Sequence, residues 1–183
     1  MSVFSKVAEK VLKLVHPDGF HKRVAVKTFQ LPNGLEETFF IDVGKDSVQV
    51  LCITKPEPGV EADVVLVQQF RPGLEEMALE LPGGGLNSGE NPLEGGVREL
   101  REETGYVGDA TYLGKLPYSP YSTGWRHCVL VINAKKVDHQ ALDPNEFVTI
   151  LKMPLRDFRM KMKTGEIRGF ELGYMGLDYL GKL

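Results

Sequence analysis

Glu99, Glu102 and Glu103 crowd into about one helical turn of the run Arg98-Glu99-Leu100-Arg101-Glu102-Glu103. Like charges four residues apart destabilise a helix by roughly 0.2–0.5 kcal/mol. Gly95 and Gly96, just upstream, each cost about 1 kcal/mol relative to alanine inside a helix. A segment that breaks several local rules at once is where function is expected. Clustered carboxylates suit a hard cation such as Mg2+ or Mn2+, which takes oxygen donors. The matching chemistry is cleavage of a pyrophosphate, whose oxygens already carry negative charge and repel a nucleophile. Cations neutralise that charge, hold the leaving phosphate and acidify a water, and a spare carboxylate can accept the proton. The same residues also fit a solvated acidic face with Arg98 and Arg101 in ion pairs, so the longer spacing has to decide.

That spacing is Gly84, five residues, Glu90, seven residues, then Arg98-Glu99-Leu100, one residue, Glu102-Glu103, one residue and Gly105. It resembles the signature of the Nudix hydrolases at nearly every fixed position; Tyr106, in place of an aliphatic residue, is a mild departure. The resemblance implies an α/β/α sandwich around a mixed β-sheet, an α/β (α+β) fold. It also implies hydrolysis of a nucleoside diphosphate linked to a second moiety. By that resemblance Glu99, Glu102 and Glu103 are the metal ligands, joined by the backbone carbonyl of Gly83. Arg98 orients a glutamate, Glu90 is a supporting acid, and Gly84 and Gly105 are structural. Glu102 is also a candidate for the proton-accepting role.

Gln68-Gln69-Phe70-Arg71-Pro72 followed by Glu80-Leu81-Pro82-Gly83-Gly84 is similar to the ADP-ribose pyrophosphatase and nucleoside-diphosphate-sugar branch. There the strand-end arginine contacts phosphate and the glutamate supports the site, which points to Arg71 and Glu80. A guanidinium can grip phosphate oxygens in bidentate fashion; the alternatives are a surface ion pair of Arg71 with Glu75 or Glu76, and Glu80 as a strand-end cap. Fifteen positions after Gly105 comes Pro120, in Tyr118-Ser119-Pro120-Tyr121, close to where ADP-ribose enzymes carry Ser-Pro-Gly. Ser119 and Tyr121 are the substrate candidates, and Tyr121 in the glycine position admits sugars other than ADP-ribose, such as GDP-mannose. Glu146, in Asp143-Pro144-Asn145-Glu146, falls where this branch carries a catalytic glutamate on a mobile loop; it is the candidate general base or an additional metal ligand. The expected reaction yields a nucleoside monophosphate and a sugar phosphate. The alternatives are a nucleoside triphosphate or dinucleoside polyphosphate hydrolase, or a non-catalytic nucleotide-binding module.

The acidic segment predicts a helix from Pro92 to Thr104. Asn91 is its N-cap, Pro92 its first residue and Gly105 its stop. Leu93, Val97, Leu100 and Thr104 share one face and should meet the core. Strands are predicted at Val24–Leu31, Glu37–Val43, Val48–Thr54, Asp63–Phe70, Ala78–Leu81, Ala110–Leu116, Arg126–Asn133 and Phe147–Met153. Pro82-Gly83-Gly84-Gly85 reads as a loop, and helices are expected at Leu155–Lys163 and Phe170–Leu180. Phe4, Val7, Ala8, Val11, Leu12 and Val15 recur at helical spacing, which predicts an amphipathic helix ending before His16-Pro17-Asp18-Gly19. Residues 1–45 thus form a helix and β-hairpin extension suited to dimerisation, and residues 46–183 the hydrolase domain.

The 183 residues carry a net charge of -3, 42% hydrophobic and 26% charged residues. That balance excludes a nucleic-acid-coating protein, which needs a basic surface. No apolar run is long enough to span a bilayer. Cys52 and Cys128 read as buried free thiols in a cytoplasmic protein. His127 reads as structural, and the Gly83-Gly84-Gly85 run lacks the Lys-Ser/Thr of a P-loop. The expected partners are a nucleotide sugar and a second copy of the chain, with neither nucleic acid nor membrane.

Overall fold

Val7 and Val11 are four residues apart, and that interval serves a strand as well as a helix because it is also a multiple of two. In the computed structural model, which describes residues 5–15, 21–56 and 58–183, Ser5–Val15 is a strand, β1, and not the predicted helix. It pairs antiparallel with His21–Gln30 (β2), and β2 pairs antiparallel with Glu36–Asp42 (β3). Pairing with β2 overrides the local pattern, as tertiary context often does for strands. Phe4 and His16–Gly19, the start and stop assigned to that helix, lie outside the described residues. The hairpin between β2 and β3 turns at Pro32-Asn33-Gly34: Gly34 takes φ 85°, and the Asn33 side chain accepts the Leu35 N–H at 3.0 Å.

The chain divides into two compact units, residues 1–46 with 116–126 and residues 47–115 with 127–183. The first holds the β1-β2-β3 sheet and the loop that contains Ser119 and Tyr121. The Asp42 N–H donates to the Tyr121 carbonyl at 2.8 Å, and the Thr123 N–H donates to the Asp42 carbonyl at 2.9 Å. Phe39 stacks on Tyr121 with ring centroids 6.3 Å apart.

The second unit is built on Ser47–Thr54 (β4), whose residues from Val50 to Ile53 are all buried. Val48, Val50 and Cys52 face one side and join Leu100, Tyr106, Val129 and Val131 in one core. Leu51 faces the other side, close against Gly176. Both faces of the sheet are therefore covered, and a near-continuous apolar strand is what that requires. The other strands are Asp63–Arg71 (β5), Glu76–Glu80 (β6), Gly83–Gly85 (β7), Tyr106–Pro117 (β8), Trp125–Lys136 (β9), Thr149–Pro154 (β10) and Ile167–Arg168 (β11). They form a mixed sheet in the order β11-β6-β5-β4-β9-β8, with β10 also paired to β5 and β7 to β4. Pro92–Thr104 (α1) lies on one face; Leu155–Lys163 (α2) and Phe170–Tyr179 (α3) cover the other, where Phe158 meets Gly173. This is the expected α/β/α sandwich. Gly83-Gly84-Gly85 is a strand rather than a loop, because its pairing with Ser47–Gln49 uses only backbone. Among the described residues no helix is long and apolar enough to cross a membrane. Cys52 and Cys128 are buried free thiols.

Candidate active site

α1 begins as its sequence dictates. The Asn91 side chain accepts the Leu93 N–H at 2.9 Å, and Gly105 closes the helix in the left-handed conformation at φ 73°. Its buried face differs in part from the expected one. Gly96, Leu100, Glu103 and Thr104 are buried; Leu93 is half-buried but packs against the core as expected, and Val97 is half-buried. The cause is Gly96, which lets the helix settle onto the sheet: a Cβ there would lie 2.8 Å from Val129 and 3.1 Å from Val48. Gly95 is approached by a loop, through Leu86 and Glu90.

This rotation carries Glu103 into the protein. Its Oε2 accepts the Gly83 N–H at 2.7 Å, and burial pushes its carboxyl up to about 8 against the opposing pull of that hydrogen bond. Glu99 is also raised, chiefly by burial. The charge of Glu146 adds to the upward push on both, so the loop that holds Glu146 is within electrostatic reach of the pair. Glu146 itself is exposed, and its carboxylate accepts the Asp143 N–H of its own turn at 3.2 Å.

Arg98 organises the rest. Its guanidinium grips Glu90 in bidentate fashion, Nε to Oε1 at 2.7 Å and Nη2 to Oε2 at 2.9 Å. Nη1 donates to Glu99 and to Glu102, both at 2.9 Å. The Arg98 fork and the Asn87 N–H hold the Glu90 carboxyl down at about 2. A Cβ at Gly84 would lie 2.6 Å from the Glu99 carboxylate, so the glycine leaves room for that side chain where Arg98 holds it. Among the described residues no three acidic, histidine or cysteine groups already stand in a metal-holding geometry. The donors nevertheless fit a hard dication: they are all oxygen, Glu103 is buried and Glu99 half-buried, and a cationic nitrogen already bridges Glu99 and Glu102.

Arg71 pairs with Glu80. Its Nε donates to both oxygens of Glu80 at 3.0 Å, with a further short contact from Nη2, and Gln69 donates to Glu80 at 3.3 Å. Glu76 is engaged by Arg168 at 2.9 Å. Glu80 is buried and braces Arg71 from below, and so is more than a strand-end cap. His127 is buried with its Nδ1 2.9 Å from the Tyr112 hydroxyl, in keeping with a structural role.

The second unit thus brings together Arg71, Glu80, Gly83, Gly84, Glu90, Arg98, Glu99, Glu102, Glu103, Gly105 and the Glu146 loop. Ser119 and Tyr121 belong to the first unit. Sequence reasoning missed Gln140, whose side-chain amide donates to the carbonyls of Glu103 at 2.7 Å and Val148 at 3.1 Å. A lone loop amide carries no spacing signal by which to find it.

A family model described as NUDIX domain matches residues 45–171. An ADP-ribose pyrophosphatase of Bacillus subtilis (strain 168) is 32% identical over 160 residues, 85% of this chain and 82% of that protein. An ADP-ribose pyrophosphatase of Saccharomyces cerevisiae is 29% identical over 157 residues, 77% of this chain and 67% of that protein. A solved structure of an ADP compounds hydrolase superposes with a TM-score of 0.76 over 98% of this chain and 97% of that one. Its identity is 18%, a likeness of fold.

Proposed function

The chain belongs to the NUDIX domain family and is a pyrophosphohydrolase, and on that premise we propose that it splits a nucleoside diphosphate sugar. The products are a nucleoside monophosphate and a sugar phosphate. The observation that carries this reading is the Arg98 bracket: one guanidinium, anchored by Glu90 of the preceding loop, holds Glu99 and Glu102 on the turn from which Glu103 is buried beside Gly83. The similarity to ADP-ribose pyrophosphatases supports the substrate class.

Glu99, Glu102, Glu103 and the Gly83 carbonyl would hold Mg2+ or Mn2+. Such an ion neutralises phosphate charge and acidifies a water when bound. The chain's own groups do the rest. Arg98 keeps the carboxylates of α1 aligned, and Glu90 anchors Arg98. Arg71, braced by Glu80, presents its guanidinium to a phosphate. Glu146 takes the proton from the attacking water; Glu102 is the second candidate for that step. Ser119 and Tyr121 bind the nucleotide or sugar part. The described unit of β1, β2 and β3 serves a homodimer, and the buried thiols suit the cytoplasm.

Incubation with Mg2+ and a panel of nucleotides tests the reading. AMP or GMP together with a sugar phosphate is the expected outcome. Release of pyrophosphate from a nucleoside triphosphate, with nucleotide sugars untouched, would place the chain among triphosphate hydrolases instead.

A further inference from the structure

The segment from Asp138 to Val148 leaves the C-terminal end of α1 and returns to it. Its departure is fixed by backbone: the Val137 N–H donates to the Gly105 carbonyl at 2.9 Å, and the Ala141 N–H donates to the Glu102 carbonyl at 2.8 Å. Arg101 adds an ion pair with Asp138 at 3.1 Å. On the return, one side chain adds to the β10–β5 pairing that begins at Thr149. Gln140 Nε2 has two hydrogens and two acceptors, the Glu103 carbonyl at 2.7 Å and the Val148 carbonyl at 3.1 Å. Val148 is buried and lies two residues beyond Glu146. Gln140 therefore closes the base of a loop whose tip holds Glu146, and it closes that base onto the backbone of Glu103 itself.

We propose that Gln140 is a positioning residue for the hydrolysis, tying the Glu146 loop to the helix end that bears Glu102 and Glu103. It touches no reacting atom. It acts by keeping a proton acceptor and its carboxylate neighbours in one frame, where a misplacement of about 1 Å can cost on the order of 100-fold in rate. This rests on the reading of Glu146 as the general base.

The test is a double-variant cycle with Mg2+ and ADP-ribose. Gln140→Met keeps the side-chain length and removes both donors; kcat should fall about tenfold while KM stays within about twofold. In a Glu146→Gln background, adding Gln140→Met should change kcat by less than about twofold, because the loop then has no base to position. Gln140→Lys, whose ammonium can reach both carbonyls, should recover most of the lost rate; if Gln140→Met does not fold, Gln140→Lys against Gln140→Glu gives the same comparison. Full additivity with Glu146→Gln, or a Gln140→Met enzyme that merely melts earlier with unchanged kcat, overturns the proposal. An unimpaired Glu146→Gln enzyme overturns the reading of Glu146 first, and the positioning role falls with it.

Discussion

Glu103 is the residue at which structure and chemistry are most tightly bound. In the folded protein its carboxyl is raised to about 8 from 4.5, so the folded chain holds a proton that the unfolded chain releases. The stability this contributes is fully present below pH 4.5 and is lost as the pH rises through about 8. Without divalent metal, the melting temperature should accordingly fall between pH 5 and pH 8; thermal scans in a chelator check it, and a flat profile would contradict the burial. Glu103→Gln reproduces the neutral form. It should flatten that fall and keep the fold while lowering turnover by at least about 100-fold, because a carboxamide cannot supply an anionic oxygen. Arg98 makes a different prediction. An ammonium cannot reproduce a planar fork holding three carboxylates, so Arg98→Lys should raise the Mg2+ concentration needed for half-maximal activity by about tenfold, as read from a metal titration.

Helix α1 shows why one element can be legible and still misplaced. Its limits, from Asn91 to Gly105, follow from the cap, the proline and the terminal glycine, all of which act locally. Which face it buries is not local. Gly96 is silent in a hydrophobic pattern, yet by having no side chain it determines how closely α1 lies on Val48 and Val129. Gly96→Ala gains about 1 kcal/mol of helix propensity but drives a methyl into a buried valine, an overpacking cost of roughly 1–3 kcal/mol. It should be net destabilising in chemical unfolding. Gly95→Ala meets the tip of Leu86, a half-buried side chain that can turn aside, and presses by a few tenths of an ångström on the Glu90 carboxylate, so it should cost less than Gly96→Ala. The same contrast explains the other elements. Strands β4 and β5, rich in Val, were readable from composition. β7 has three glycines and no side-chain pattern, and β1 has apolar spacing that fits two periods, so only their pairing partners define them. Within the site, the carboxylates and Arg98 could be found by spacing. The Arg71–Glu80 pair and Gln140 could not, because their partners are set by strand register and loop closure.

The whole chain presents a face that asks for company. In the three-stranded sheet, Leu12 pairs with Val24 and Val26 with Phe40, so these side chains share one side, and Phe40 is 68% exposed. Exposed apolar patches of this kind mark association surfaces. Light scattering at micromolar concentration should report a homodimer, and Phe40→Asp should shift it towards monomer; a monomeric parent chain would remove the prediction. The family-level fold was readable from the signature, whereas this sheet was half concealed by the ambiguity of β1. The loop of Ser119 and Tyr121 is hydrogen-bonded to Asp42 of β3 and belongs to the same compact unit. An exchange of this loop with that of a relative should therefore carry β3 with it as a single graft. A loop exchanged alone would arrive without the strand edge that shapes it.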